Sequence, residues 1–143
     1  MNIDDIQRRI PHRPPFLWID EVTEIGDGRI VARKFVDPKL DVFRGHYPDF
    51  PILPGVLQCE AAFQAGAILI TDAEPVEDGR VPVVTRVNNV KFRRPILPGE
   101  TMQIEARITE KLANAFFLSA VVKVDNQTAT RLEFACTAAT LDA

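Results

Sequence analysis

The sequence predicts an α+β protein in which an antiparallel β-sheet wraps around one long central helix. One segment of seventeen residues, 54–70, is apolar on every face of a helix and carries a single charge. The segments after it are rich in Val, Ile, Thr and Phe, and two more strand-like segments precede it. Because the chain has only 143 residues, we expect one domain over residues 1–143. A sheet curling around the helix would bury both.

The first third of the chain predicts a short helix and a hairpin. Residues 2–9 favour a helix with Asn2 as its N-cap. Residues 16–25 and 29–36 favour two strands, because a Gly-Asp-Gly turn lies between them. Residues 37–53 have glycine- and proline-marked turns without sustained periodicity, and we expect a loop there.

The central helix is predicted to begin with Pro54 in its first turn and to end before Thr71. Beyond it, four segments read as strands: 81–92, 100–111, 115–124 and 128–140. In the second of these, charged and polar residues alternate with apolar ones, which is typical of a sheet with one solvent-exposed face. A tight turn at residues 125–127 is expected to join the last two.

Composition excludes several classes of protein. Lys and Arg number 17 against 20 Asp and Glu, a net charge of −3, so bulk charge gives no reason to expect nucleic acid. The sequence contains no uncharged apolar stretch of about 18 residues, the length that would predict a membrane span. The opening residues place acids before arginines without an apolar run, unlike a secretory signal. We therefore expect a cytoplasmic protein with Cys59 and Cys136 as reduced, buried thiols.

Common catalytic motifs are missing from the sequence. Two histidines and two scattered cysteines do not have metal-ligand spacing, so we expect no metal. Neither GxGxxG nor a Walker loop occurs, which argues against nucleotide chemistry. Ser119 is the only serine and lies outside any GxSxG motif, which disfavours a serine hydrolase.

Three residues within fifteen positions could carry chemistry together. His46 lies in a proline-stiffened loop and is either a base or an ordinary hydrogen-bonding residue. Glu60 must be paired, exposed to a cavity or protonated, because an isolated ion in apolar surroundings is costly; a salt bridge or an exposed helix face remains the alternative. Gly55 could offer its backbone N–H to a ligand oxygen, or simply start the helix. A base, a donor and an acid would suffice to remove a proton α to a carbonyl and expel a β-hydroxyl.

Other polar residues have structural alternatives. Lys91, Arg93 and Arg94 form a basic cluster that is either a solvated strand end or a dock for an acidic partner or a phosphate. His12 is interpreted as structural.

At this point a family resemblance becomes specific. The segment 43–64 contains GHYPxxPxxPGVLxxExxxQ, which resembles the (3R)-hydroxyacyl-acyl-carrier-protein dehydratases of the FabZ type, with Tyr47 in place of Phe. Residues 11–17 are similar to the family's PHRYPFLL segment, and residues 89–100 to its VRFRRPVxPGD segment. The resemblance covers nearly the whole chain in the expected order.

The resemblance implies a hotdog fold and dimers that join their sheets edge to edge, commonly as a trimer of dimers. It implies a site shared across the dimer, with His46 of one subunit as base facing Glu60 of the other as acid, and with the Gly55 N–H on the thioester carbonyl. The substrate would be an acyl-carrier-protein or coenzyme A thioester, and no cofactor is implied beyond the phosphopantetheine arm. Neither nucleic acid nor membrane is an implied partner.

Three departures from the family pattern bear on the substrate. Pro14 replaces a tyrosine, Arg86 stands where glycine is common, and Phe63 replaces a frequent methionine. Arg86 could shorten the acyl tunnel or face solvent. Two other functions remain open: a hotdog acyl thioesterase, which would hydrolyse the thioester, and a non-catalytic acyl-binding dimer.

Overall fold

The computed structural model describes residues 1–75 and 79–140 and contains one antiparallel sheet with a long helix against it. The six strands lie in the order β1-β2-β4-β5-β6-β3, and α3 packs against all of them. The architecture predicted from the sequence is confirmed. The elements are α1 (Ile3–Arg9), β1 (Glu21–Gly26), β2 (Arg29–Phe35), α2 (Val42–Gly45), α3 (Gly55–Ala73), β3 (Arg80–Phe92), β4 (Thr101–Leu112), β5 (Ala115–Val124) and β6 (Gln127–Thr140).

The start of the chain confirms one prediction and corrects another. Asn2 caps α1, and its side chain accepts from the backbone N–H of Asp5 in a capping box. Residues 16–20, predicted as strand, precede β1 instead. Trp18 and its apolar neighbours are buried there, but the N–H of Trp18 donates to a side chain of α3 rather than to a strand.

Helix α3 lies directly on the sheet because it has a small residue at the contact. A Cβ on Gly66 would lie 2.8 Å from Cζ of Phe134 and 3.2 Å from Cδ2 of Leu118. The helix continues to Ala73, past its predicted end, and Asp72 in this extra turn is paired with Arg9 of α1 at 3.2 Å. Among residues 1–75 and 79–140, no helix combines the length and the apolar character that crossing a bilayer requires.

Strand β3 borders the sheet and leaves one edge unpaired in the single chain. It is thirteen residues long, and Val84, Val87 and Phe92 on it are exposed. The short helix α2 lies within the segment predicted as loop and leads directly into His46. Helix α3, the edge strand β3 and the end of α2 therefore contribute the residues of the candidate site.

Candidate active site

Glu60 lies on α3 at the wall of a cavity of about 370 Å³. Its side chain is 21% exposed, and its Oε2 accepts from Nε2 of Gln64 at 2.9 Å. Of the alternatives that the sequence leaves open, the structure therefore favours a cavity-facing carboxylate over a salt bridge to arginine. We call this space the Glu60 cavity; it is lined by Pro11, His12, Glu60, Phe63, Ala67, Val81, Pro82, Val83, Val84 and Cys136.

Gln64 holds Glu60 in place from one turn further along α3. It is fully buried, and its Nε2 donates both to Glu60 and to the carbonyl oxygen of Phe16, each at 2.9 Å. Its Oε1 accepts from the N–H of Trp18 at 2.7 Å. All the hydrogen-bonding capacity of this amide except one acceptor lone pair is used, so its orientation is fixed. The four-residue spacing from Glu60 in the sequence is the signal that indicates such a partner.

His12, interpreted as structural from the sequence, lies beside the same carboxylate. Its Nε2 is 3.7 Å from Oε2 of Glu60, and its Nδ1 is buried without a partner among the described residues. Burial lowers the pKa of His12 below its ordinary value of 6.5, an effect that Glu60 opposes and Arg13 reinforces. A neutral imidazole is therefore the favoured neighbour of Glu60 at neutral pH.

Gly55 lines a second space, a groove of about 490 Å³ at the start of α3. Its N–H donates no hydrogen bond to any described residue, as expected for the first turn of a helix. A Cβ at Gly55 would lie 2.6 Å from Cε1 of Phe92, so the aromatic ring occupies the place of a side chain. We call this space the Gly55 groove; it is lined by Ile52, Leu53, Gly55, Val56, Gln58, Phe92, Arg93, Arg94 and Pro95.

His46 lies beside the Gly55 groove and has a defined tautomer. Its Nδ1 is 2.9 Å from the carbonyl oxygen of Ile52, a groove residue. A carbonyl oxygen only accepts, so Nδ1 carries the proton and Nε2 of the neutral ring keeps its lone pair. The Tyr47 ring packs edge-on against the imidazole, with ring centroids 4.7 Å apart. This arrangement suits a base that acts through Nε2.

Within one chain the candidate residues fall into two groups. Gly55 lines the Gly55 groove, and His46 lies beside it through its contact with Ile52. Glu60 and His12 line the Glu60 cavity, and Gln64 is hydrogen-bonded to Glu60. No hydrogen bond or ion pair joins His46 to Glu60 in the described part of the chain. Each space therefore holds only half of the predicted chemistry.

The basic cluster divides into exposed and internally bound members. Lys91 and Arg93 are exposed, and Arg93 lies at the Gly55 groove. Arg94 instead pairs with Glu100 at 2.8 Å and donates to the carbonyl oxygen of Val124 at 3.4 Å.

A further arginine joins the exposed pair. Arg131, which the sequence did not single out, is exposed directly opposite Lys91 in the β3–β6 register. Strand pairing is the information that reveals it. The exposed basic residues around the end of β3 are therefore Lys91, Arg93 and Arg131.

The three departures from the family pattern lie in different surroundings. Phe63 lines the Glu60 cavity and packs edge-on against Phe134, with centroids 5.1 Å apart. Arg86 is exposed on β3 and lines neither of the two spaces, in agreement with its solvent-facing alternative. Pro14 is exposed and precedes Pro15 through a cis peptide bond. Of the three, only Phe63 borders the candidate chemistry.

Comparison with known sequences identifies relatives over almost the whole chain. A family model described as a FabA-like domain matches residues 10–133. The 3-hydroxyacyl-[acyl-carrier-protein] dehydratase FabZ of Clostridium perfringens is 40% identical, over 90% of this chain and 92% of its own length. The protein of the same name from Aromatoleum aromaticum is 39% identical, over 99% of both chains.

Comparison with solved structures supports the fold. The dehydratase heterocomplex ApeI:P of Xenorhabdus doucetiae is similar with a TM-score of 0.78 at 13% identity, over 94% of this chain and 91% of that chain. A hypothetical thioesterase of Streptococcus pneumoniae gives a TM-score of 0.66 at 10% identity, over 86% and 88%. At such identities the likeness concerns the fold, and the expected hotdog fold is confirmed.

Proposed function

This chain belongs to the FabA-like family and, within it, to the FabZ-type dehydratases, and from that membership we propose its reaction and its site. It removes water from (3R)-3-hydroxyacyl thioesters carried by acyl-carrier protein and yields trans-2-enoyl thioesters in fatty-acid biosynthesis. In this proposal His46 is the base, Glu60 the acid, and the Gly55 N–H the donor to the thioester carbonyl.

The division of the chemistry between two spaces carries the proposal of a shared site. Strand β3 borders both: Val83 and Val84 line the Glu60 cavity near its start, and Phe92 lines the Gly55 groove at its end. If two copies pair this edge antiparallel about a two-fold axis, the start of one β3 lies beside the end of the other. The Gly55 groove of one subunit then meets the Glu60 cavity of its partner. A homodimer would complete two sites.

The proposed reaction balances without a cofactor. Nε2 of His46 takes the C2 proton, and the Gly55 N–H stabilises the negative charge that develops on the thioester oxygen. The C2–C3 double bond forms as the C3–O bond breaks, and protonated Glu60 donates its proton so that the hydroxyl leaves as water. Transfer of the C2 proton from His46 through solvent to Glu60 restores both groups.

The carrier and the location complete the proposal. Thioesters reach the site on a phosphopantetheine arm, and its attachment to acyl-carrier protein rather than to coenzyme A follows the name of the relatives. Lys91 and Arg93 offer exposed positive charge beside the groove for an acidic carrier, with Arg94 mainly supporting the loop. Buried, free Cys59 and Cys136 agree with a cytoplasmic location.

The test follows the reverse reaction. Loss of enoyl-thioester absorbance is measured with trans-2-enoyl-acyl-carrier protein, and product analysis separates hydration from hydrolysis. Hydration that His46→Ala and Glu60→Gln each abolish is expected. Release of free thiol would show that the protein hydrolyses the thioester and is a thioesterase. Binding of the thioester without turnover would indicate a non-catalytic acyl-binding dimer.

A mixing experiment tests the shared site. When inactive H46A and E60Q subunits are exchanged at equal amounts, each mixed dimer regains one site with both residues intact. Activity should return to about a quarter of wild type, because half of the dimers are mixed and each has one working site of two. No recovery despite proven subunit exchange would place both residues of each site in one chain. Sedimentation of the same samples distinguishes a dimer from a trimer of dimers.

A further inference from the structure

Gln58 is a buried amide in the Gly55 groove that the proposed mechanism does not use. It lies one turn after Gly55 on α3 and is 2% exposed. Its Oε1 accepts from the hydroxyl of Thr130, which is fully buried on β6. Its Nε2 has no hydrogen-bond partner among the described residues, and the side chain forms part of the groove wall.

Among the described residues, the polar side-chain atoms that are fully buried without a partner belong to His12, Trp18 and Thr71. Nε2 of Gln58 is not one of them, so it keeps access to the groove and is free to donate to a ligand atom there. Side chains on a helix lean toward its N-terminus, which brings the Gln58 amide toward Gly55. Because Thr130 occupies the oxygen, the nitrogen is the part left for the groove. The Gly55 N–H and the guanidiniums of Arg93 and Arg94 at the groove are also donors, of which Arg94 is already paired with Glu100. The groove is therefore built for an acceptor oxygen.

We propose that Nε2 of Gln58 donates a second hydrogen bond to the thioester carbonyl oxygen that the Gly55 N–H holds. This inference rests on the proposed function and adds a catalytic residue to it. As the C2 proton leaves, negative charge grows on that oxygen, and two fixed donors stabilise it more than they stabilise the ground state. Thr130 acts only through Gln58, by fixing the orientation of its amide.

The kinetic test compares two variants that break the same buried hydrogen bond. Gln58→Met keeps the size of the side chain and removes the donor, and we expect kcat to fall about 100-fold with little change in KM. Thr130→Val leaves Nε2 in place and should lower kcat only a few-fold, although its stability also falls. In the double variant Q58M/T130V both polar partners are gone, so stability should recover while kcat stays low.

A spectroscopic measurement separates this role from a structural one. A saturated acyl-pantetheine thioester, labelled with ¹³C at the thioester carbonyl, has no 3-hydroxyl to lose and remains intact when bound. Its carbonyl stretch should move to lower frequency on wild-type protein than in water. In Q58M and in the double variant it should return part of the way, and in T130V it should stay close to wild type.

The outcomes separate this inference from the proposed function. An unchanged carbonyl frequency in Q58M, or equal losses of kcat in Q58M and T130V, would overturn the role of Gln58 while dehydration by the wild type stood. Absence of wild-type activity on every thioester would overturn the proposed function instead. In that case the frequency shift would still report whether Gln58 contacts a bound carbonyl.

Discussion

Replacing Gln64 by leucine should destabilise the fold and impair Glu60 at the same time. The side chain is similar in size, so the main change is the loss of three hydrogen bonds of 2.7–2.9 Å. The N–H of Trp18 and the carbonyl oxygen of Phe16 lose their partner in a buried or half-buried setting, at about 1–3 kcal/mol each. Allowing for the apolar gain of leucine, we expect the free energy of unfolding to fall by about 2–4 kcal/mol. Tm should fall by about 10 °C for a domain of this size.

The assay is urea unfolding together with kcat for enoyl-thioester hydration. Gln103→Leu is the matched control, because its amide donates only to Glu105, at 3.0 Å on the sheet surface, and its loss should cost about 0.5 kcal/mol or less. We expect kcat of Q64L to fall more than about tenfold, since Glu60 loses the donor that orients it. Equal stability of the two variants would refute the reasoning, because the backbone groups would then have found other partners.

Three further predictions follow from burial. Gly66→Ala should lower the free energy of urea unfolding by about 1–3 kcal/mol despite its better helix propensity, because the new methyl overlaps the ring of Phe134. Adding Phe134→Leu should remove part of this cost. Additive effects of the two substitutions on stability would contradict the overlap. The pKa of His12 is lower in the folded protein than in the unfolded chain, so the unfolded chain binds more protons as the pH falls through 6.5. The free energy of unfolding should therefore fall as the pH drops below that value. His12→Gln should make this dependence on pH less steep, whereas an unaltered dependence would assign it to other groups. Burial raises the pKa of the Cys136 thiol to about 12 and that of the Cys59 thiol above its usual range. Both thiols should therefore resist a thiol reagent at pH 8 until urea is added. Fast labelling of the native protein would contradict their burial.

The local sequence pattern was sufficient to predict the strands of the sheet. It was insufficient where contacts between residues far apart in the chain determine the local structure. Strand β5 was predicted to the residue, because its alternation and its flanking turns are both visible in the sequence. Residues 16–20 have the same apolar, aromatic composition as a strand, yet the Trp18 N–H bonds to Gln64, 46 residues away. The extra turn of α3 depends similarly on Asp72 meeting Arg9, 63 residues earlier. Such pairings leave no periodic signal.

The candidate site shows the same limit. Spacing identified His46, Gly55 and Glu60 as candidates, and the family resemblance implied that His46 and Glu60 come from different subunits. The two spaces that hold them, and the path of β3 along both, are visible only in the structure. His12 reaches Glu60 from 48 residues away, and the orientation of the Gln58 amide depends on Thr130, 72 residues away. Side-chain chemistry could be listed from the sequence, whereas its grouping required the tertiary structure.

Phe92 links assembly to substrate binding through mass action. Its ring covers Gly55, and Phe92 is the last residue of β3, whose outer edge is unpaired in the single chain. In the proposed dimer, pairing of that edge would hold the ring and therefore fix the width of the groove. Two equilibria that share one side chain influence each other equally in both directions. An acyl thioester should thus tighten subunit association by the same factor by which association tightens its binding, and dilution should weaken both together.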